Sequence, residues 1–127
     1  MSEVLEARRT LTADAGGGRV ETLLLEGELG APDLDQVCEE LARKLQLGVR
    51  QVVVDFGEVA HLDYRGVRPQ MVRAETFRRA GGDIKLSGLS PYLSAIFRAA
   101  GAHDRFEMYP HMNDARAAFA LMRAPFV

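Results

Sequence analysis

Three carboxylates, Asp55, Glu58 and Asp63, lie close together in the chain and are its nearest approach to an acid–base set. Such chemistry needs a carboxyl poised beside a substrate pocket. No neighbouring motif supplies one, so catalysis is not expected and no catalytic residue is assigned. His61, His103 and His111 are scattered, without Cys₂His₂ or His-Glu-x-x-His spacing, so no metal ligands are expected. Cys38 is the only cysteine, which rules out an internal disulfide. It falls among Leu34, Val37, Leu41 and Leu45 at helical spacing and reads as a core thiol rather than a nucleophile. Ser87, Ser90 and Ser94 have no partner signature, and Ser90 before Pro91 reads as a helix cap. Gly81-Gly82 lacks the phosphate-loop pattern, and no cofactor is expected.

What remains is binding chemistry. Arg65, Arg68, Arg73, Arg78 and Arg79 crowd one stretch, opposed only by Glu75. Arg78 and Arg79 stand where cations complement a helix's negative end, and read as a solvated terminus. Arg65 and Arg68 stand at the other end and are candidates for a partner surface. An anionic small molecule at that helix start is a weaker reading, because no glycine-rich cradle accompanies it. Tyr64 is either an anchor for a partner or packed on its own loop. Asp63 either caps the helix or touches a partner.

These residues need a frame. Leu5, Ala7, Arg9 and Leu11 alternate with polar residues, the pattern of a half-buried strand. Gly16 to Gly18 mark a turn, and Val20 to Glu26 returns as the second strand of a hairpin. Pro32, with Asp33 and Asp35, opens a first helix that Gly48 ends. Gln51 to Phe56 holds Val52, Val53 and Val54 in a row, which suits a central strand covered on both faces. A second helix is expected over roughly Arg65 to Ala80, then a strand Ile84 to Ser87 and a third helix from Ser90-Pro91 to Gly101. Arg105 to Tyr109 reads as a short last strand. Asn113 or Asp114 opens a final helix carrying Ala115, Ala118, Phe119 and Met122. The order β-β-α-β-α-β-α-β-α argues for an α/β fold with a mostly parallel sheet.

Composition narrows the function classes. The 127 residues suit one domain, 1–127, able to build a core without disulfide or metal. Apolar residues make up 47% and charged residues 27%, a globular composition. A net charge of −2 gives no reason to expect nucleic acid or an anionic membrane as partner. The charged N-terminus does not read as a secretory signal, and no apolar run approaches the length needed to span a bilayer. A cytoplasmic location is the expectation.

Four motifs, in order, resemble the STAS family, which includes bacterial anti-sigma-factor antagonists. They are Leu25-Glu26-Gly27-Glu28-Leu29; Val52 to Phe56 with Leu62-Asp63 and Gly66-Val67; Gly81-Gly82-Asp83-Ile84-Lys85-Leu86; and Leu89-Ser90-Pro91 with Phe97, Gly101 and Phe106. The resemblance covers roughly residues 4 to 123. It implies a STAS-type mixed, mostly parallel sheet with an N-terminal hairpin and about four helices. It also implies a regulatory domain that binds a protein, an anti-sigma-type kinase-like partner or a signalling assembly. Such domains also serve as structural subunits in stressosome-like or transporter-ATPase assemblies. Self-association is left open.

The resemblance breaks at one stretch. Family members commonly carry Asp-Ser-Ser/Thr-Gly at the start of the second helix, and a kinase phosphorylates the second hydroxyl residue to release the partner. Here the stretch is Asp63-Tyr64-Arg65-Gly66, so Arg65 occupies the phosphoacceptor place. Gly30 also stands where the family's Gly-Glu-Leu is followed by aspartate. The partner-binding residues expected by this resemblance are Asp63, Tyr64, Arg65, Gly66 and Arg68. Binding is expected to be constitutive or gated elsewhere. Pro69 adds a structural expectation: the second helix starts late or opens on a distorted turn.

Overall fold

A computed structural model describes residues 8–15 and 18–122. Among them the order is β1 (Arg8–Ala15), β2 (Gly18–Leu29), α1 (Ala31–Gln46), β3 (Gln51–Leu62), a 3₁₀ turn (Tyr64–Gly66), α2 (Val67–Arg79), β4 (Asp83–Ser87), α3 (Pro91–Ala99), β5 (Met108–Tyr109) and α4 (Met112–Met122). The strands form one sheet in the order β1-β2-β3-β4-β5. The β1/β2 pair is antiparallel and the other three pairs are parallel. This is the mixed, mostly parallel α/β fold expected. Leu5 to Ala7 and the turn residues Gly16 and Gly17 lie outside the described residues.

The sheet separates two unequal cores. On one face, Leu23, Leu25, Val52, Val54, Ile84 and Leu86 meet the apolar stripes of α1, α2 and α3, including Leu34, Val37, Phe77, Leu93 and Phe97. Burial of such side chains is the main stabilising term, roughly 1.5–3 kcal/mol for each. On the other face, Val20 and Val53 pack with Ala115 and Phe119 of α4 in a much smaller cluster. Buried polar groups share that face. Register aligns Thr22 with Val53 and Lys85, all fully buried. The Lys85 ammonium is accommodated by Glu107 at 2.7 Å, Asp83 at 3.3 Å and the Phe119 ring, whose centroid is 4.6 Å away. A buried cation needs such partners, because its desolvation is otherwise too costly.

β2 and β3 run further than their apolar runs suggest. The expected strands stop at Glu26 and Phe56, each just before a glycine. The two strands nevertheless stay paired to Leu29 and Leu62, across register shifts at Leu24/Glu26 and Gly27/Glu28. Gly27 takes φ +90 at the shift, a conformation that side-chain-bearing residues rarely adopt. β3 parts from β4 at Asp55, where the carboxylate accepts from Ser87 Oγ at 2.7 Å and from Gly57 N–H at 3.1 Å. Beyond that fork β3 carries His61 to the end of the sheet, and Asp63 follows just past the strand. The last strand is shorter than expected. Arg105 to Glu107 do not join it, and Phe106 instead turns into the main core.

Candidate functional site

The loop from His61 to Gly66 is held at both ends by the backbone. Asp63 N–H donates to Leu29 C=O at 2.9 Å, tying the loop to the end of β2. Gly66 N–H donates to Asp63 C=O at 2.9 Å, closing the 3₁₀ turn. The α-helix then starts at Val67, so Pro69 is its third residue. The first four helical N–H groups have no partner within the helix, and the missing donor costs nothing there. Of the two openings that Pro69 allowed, the structure shows the distorted one, a 3₁₀ turn ahead of the α-helix.

Asp63 caps the turn. Its Oδ1 accepts from Arg65 N–H at 2.9 Å. The Arg65 guanidinium folds back on the same carboxylate, with Nη2 at 2.7 Å from Oδ2 and Nε at 3.1 Å from Oδ1. This two-pronged geometry fixes the arginine's direction more firmly than a single contact. The Arg65 side-chain hydrogen bonds, then its backbone N–H, hold the Asp63 carboxyl down to about 2. A depressed carboxyl is ionised above its folded pKa, so the pair stays intact until the pH falls towards that value. The same carboxylate raises Arg65 further above its ordinary range. The charges of this turn are therefore constant across ordinary pH.

The five expected site residues fall into two groups. Tyr64 (57% exposed), Arg65 and Arg68 face outward, with Asp63 part-buried between them. Gly66 is buried. A Cβ there would come within 2.3 Å of Leu34 Cδ1 on α1, so Gly66 lets the turn lie directly on α1. Gln70 strengthens that contact by donating from Nε2 to Leu34 C=O at 2.9 Å. The sequence placed Leu34 on an apolar stripe but did not show its contact with Gly66, and Gln70 had no signal, because both contacts arise from the approach of two helices.

A second contact missed in the sequence joins His61 to Tyr92. His61 Nδ1 and Tyr92 Oη lie 2.6 Å apart, and both residues are exposed. Ser90 caps α3 by accepting from Leu93 N–H at 3.1 Å, which sets Tyr92 in the first turn beside the loop. Between α1 and α2 runs an open groove lined by Asp35, Cys38 and Glu39 on one side and Arg65, Arg68, Pro69, Val72 and Arg73 on the other. Burial pushes the Cys38 thiol up to about 11 despite the nearby Arg73, so it is a poor nucleophile at neutral pH. Asp55 is occupied by Ser87, and Asp63 by Arg65. Among the described residues no three His, Cys, Asp or Glu side chains gather as a metal set, and no helix is long and apolar enough to cross a membrane.

The profile of the family described as Mlab, STAS domain, matches residues 12–110. The chain belongs to the STAS family. This STAS domain is 28% identical over 95 residues to BtrV of Bordetella bronchiseptica, named as a candidate anti-sigma factor antagonist; the match covers 75% of this chain and 82% of BtrV. Its fold superposes on SpoIIAA, the Bacillus cell fate determinant, in its phosphorylated form, with a TM-score of 0.67 and 19% identity over 92% of this chain and all of the other. A candidate anti-sigma factor antagonist of Thermotoga maritima gives a TM-score of 0.74 and 12% identity, covering 89% of this STAS domain and 94% of that chain.

Proposed function

We propose that this STAS domain is a non-catalytic regulatory module that docks a protein partner through Asp63, Tyr64, Arg65 and Arg68, with Gly66 seating the turn on α1. The observation that carries the reading is the exposed Tyr64-Arg65 pair on a turn whose backbone and charges are both fixed. A pre-ordered surface loses little freedom on binding. An exposed tyrosine beside an arginine is a frequent anchor combination.

Arg65 occupies the place where the family resemblance puts a phosphorylated hydroxyl. A phosphoserine there would add about −1.5 to −2 charges at pH 7. Arg65 instead holds a permanent cation, neutralised locally by Asp63. The partner surface thus has no kinase-driven switch, and its occupancy follows partner abundance or a gate elsewhere. An anti-sigma-type kinase-like protein or a larger signalling assembly fits this reading.

The test is a tagged pull-down from the native host, comparing wild type with Tyr64→Ala and Arg65→Ser. One protein captured by wild type and reduced at least about tenfold by either variant is the expected result, corresponding to loss of a hot-spot residue. An unchanged captured set would remove the loop from the interface. Stoichiometric phosphorylation of the loop by a cognate kinase would overturn the switchless reading.

A further inference from the structure

The groove between α1 and α2 has two charged rims of opposite sign. Asp35 and Glu39 are exposed on α1, one helical turn apart. Arg68 is exposed on α2, with Arg73 part-buried one turn or so further on. None of these four lies within salt-bridge distance of an opposite charge among the described residues. Arg73 also has a buried Nε without a hydrogen-bond partner. Between the rims, Val72 is 59% exposed. The surface therefore offers unpaired charge and apolar area together.

The two-sided charge decides what fits. A uniformly acidic partner would be repelled by Asp35 and Glu39, and a uniformly basic one by the arginines. A surface with both rims in the right order is this surface itself. α1 and α2 each return from one parallel strand to the next, so the two helices run in the same direction. The packing of Gly66 against Leu34 brings their first turns to the same level. A twofold axis along the groove then sets each α1 opposite the other copy's α2, at matching height. Asp35 of one copy meets Arg68 of the other, twice, as an isologous interface requires.

We propose that this STAS domain self-associates through the α1–α2 groove, as a weak twofold dimer held by reciprocal Asp35–Arg68 contacts around Val72. Two helix faces roughly 20 Å long and 20 Å across together bury on the order of 400 Å² per copy, about half of a standard interface. The dimer is thus concentration-dependent. Arg65 and Arg68 lie on the covered groove, so the dimer masks part of the surface assigned to the partner. That gating role rests on the reading given above; the self-association does not.

Sedimentation velocity on the purified chain, with no partner present, tests the proposal over about 5–500 µM. Wild type should pass from monomer to dimer, with weaker association at 1 M salt, where the Debye length is about 3 Å. Asp35→Arg and Arg68→Glu should each lower self-affinity at least about tenfold, because each puts like charges opposite one another twice. An equimolar mixture of the two should recover dimer, since the heterodimer restores opposite charges at both contacts. Recovery also shows that both variants are folded. A wild type that stays monomeric throughout overturns the proposal, as do variants that still self-associate or a mixture that stays monomeric. Those outcomes leave the pull-down result untouched, and a failed pull-down leaves the dimer standing.

Discussion

Lys85→Ala is expected to lower the unfolding free energy by about 3–5 kcal/mol, measured by urea denaturation at pH 7. Lys85 is fully buried, so alanine leaves a cavity beside Phe119 and strips Asp83 and Glu107 of a shared cation. Lys85→Met separates the two losses. It retains most of the stem's packing and removes only the charge, and Asp83 still receives Arg78 Nε at 2.8 Å. Methionine should therefore cost clearly less than alanine.

The acid limb gives an independent readout. The hydrogen bond from Lys85, followed by that from Tyr109, lowers the Glu107 carboxyl from its ordinary 4.5. A group depressed in the folded state contributes fully above its unfolded pKa and loses that contribution as pH falls through the folded value. Wild type should thus lose stability below about pH 4.5, and Lys85→Met should lose less over the same interval. Glu21 contributes to the same limb in both proteins: burial raises it, but hydrogen bonds from Lys44 and Arg19 outweigh that. If Lys85→Ala costs under about 1 kcal/mol, the cluster is not what holds this face together.

Gly66→Ala is expected to cost about 2–3 kcal/mol and to lower Tm by roughly 10 °C. The new Cβ would lie 2.3 Å from Leu34 Cδ1 and 2.8 Å from Leu34 Cβ. A flexible side-chain tip could give way, but the Cβ is fixed to the α1 backbone, so helix and turn must separate. Leu34→Ala removes the tip and leaves the Cβ, so the double variant should recover part of the loss relative to the sum of the singles. Full additivity would show that the two residues do not meet. The displaced turn also carries Tyr64 and Arg65, so partner capture should weaken in the same variant.

The elements were legible where one local pattern decided them. The stripe through Leu34, Val37, Cys38 and Leu41 gave α1, and all four are buried. Ser90-Pro91 gave the start of α3. Pro69 announced the altered entry to α2, because a proline's missing donor is tolerable only near a helix start. Reading failed where the outcome depended on a partner distant in sequence. The expected strands ended at Glu26 and Phe56, but cross-strand pairing carried β2 and β3 on to Leu29 and Leu62. Phe106 looked like strand and serves the core from a turn. At the site, Asp63 as a cap was readable from its residue type and place. Its grip on Arg65 was not, nor was the Tyr92–His61 contact between residues on separate elements.

The sheet's unequal faces bear on how the molecule breathes. Among the described residues, the buried apolar cluster beneath α4 is small, Val20, Val53, Ala115 and Phe119, and it sits beside buried polar groups. The opposite face is sealed by three helices and the larger core. Amide exchange should therefore follow two tiers. α4 lifts in a partial opening that leaves β2, β3 and β4 paired, and the central strands exchange only when the whole fold is lost. Lys85 is uncovered in the first tier, where water takes over the solvation that Phe119 and the carboxylates supply in the closed state.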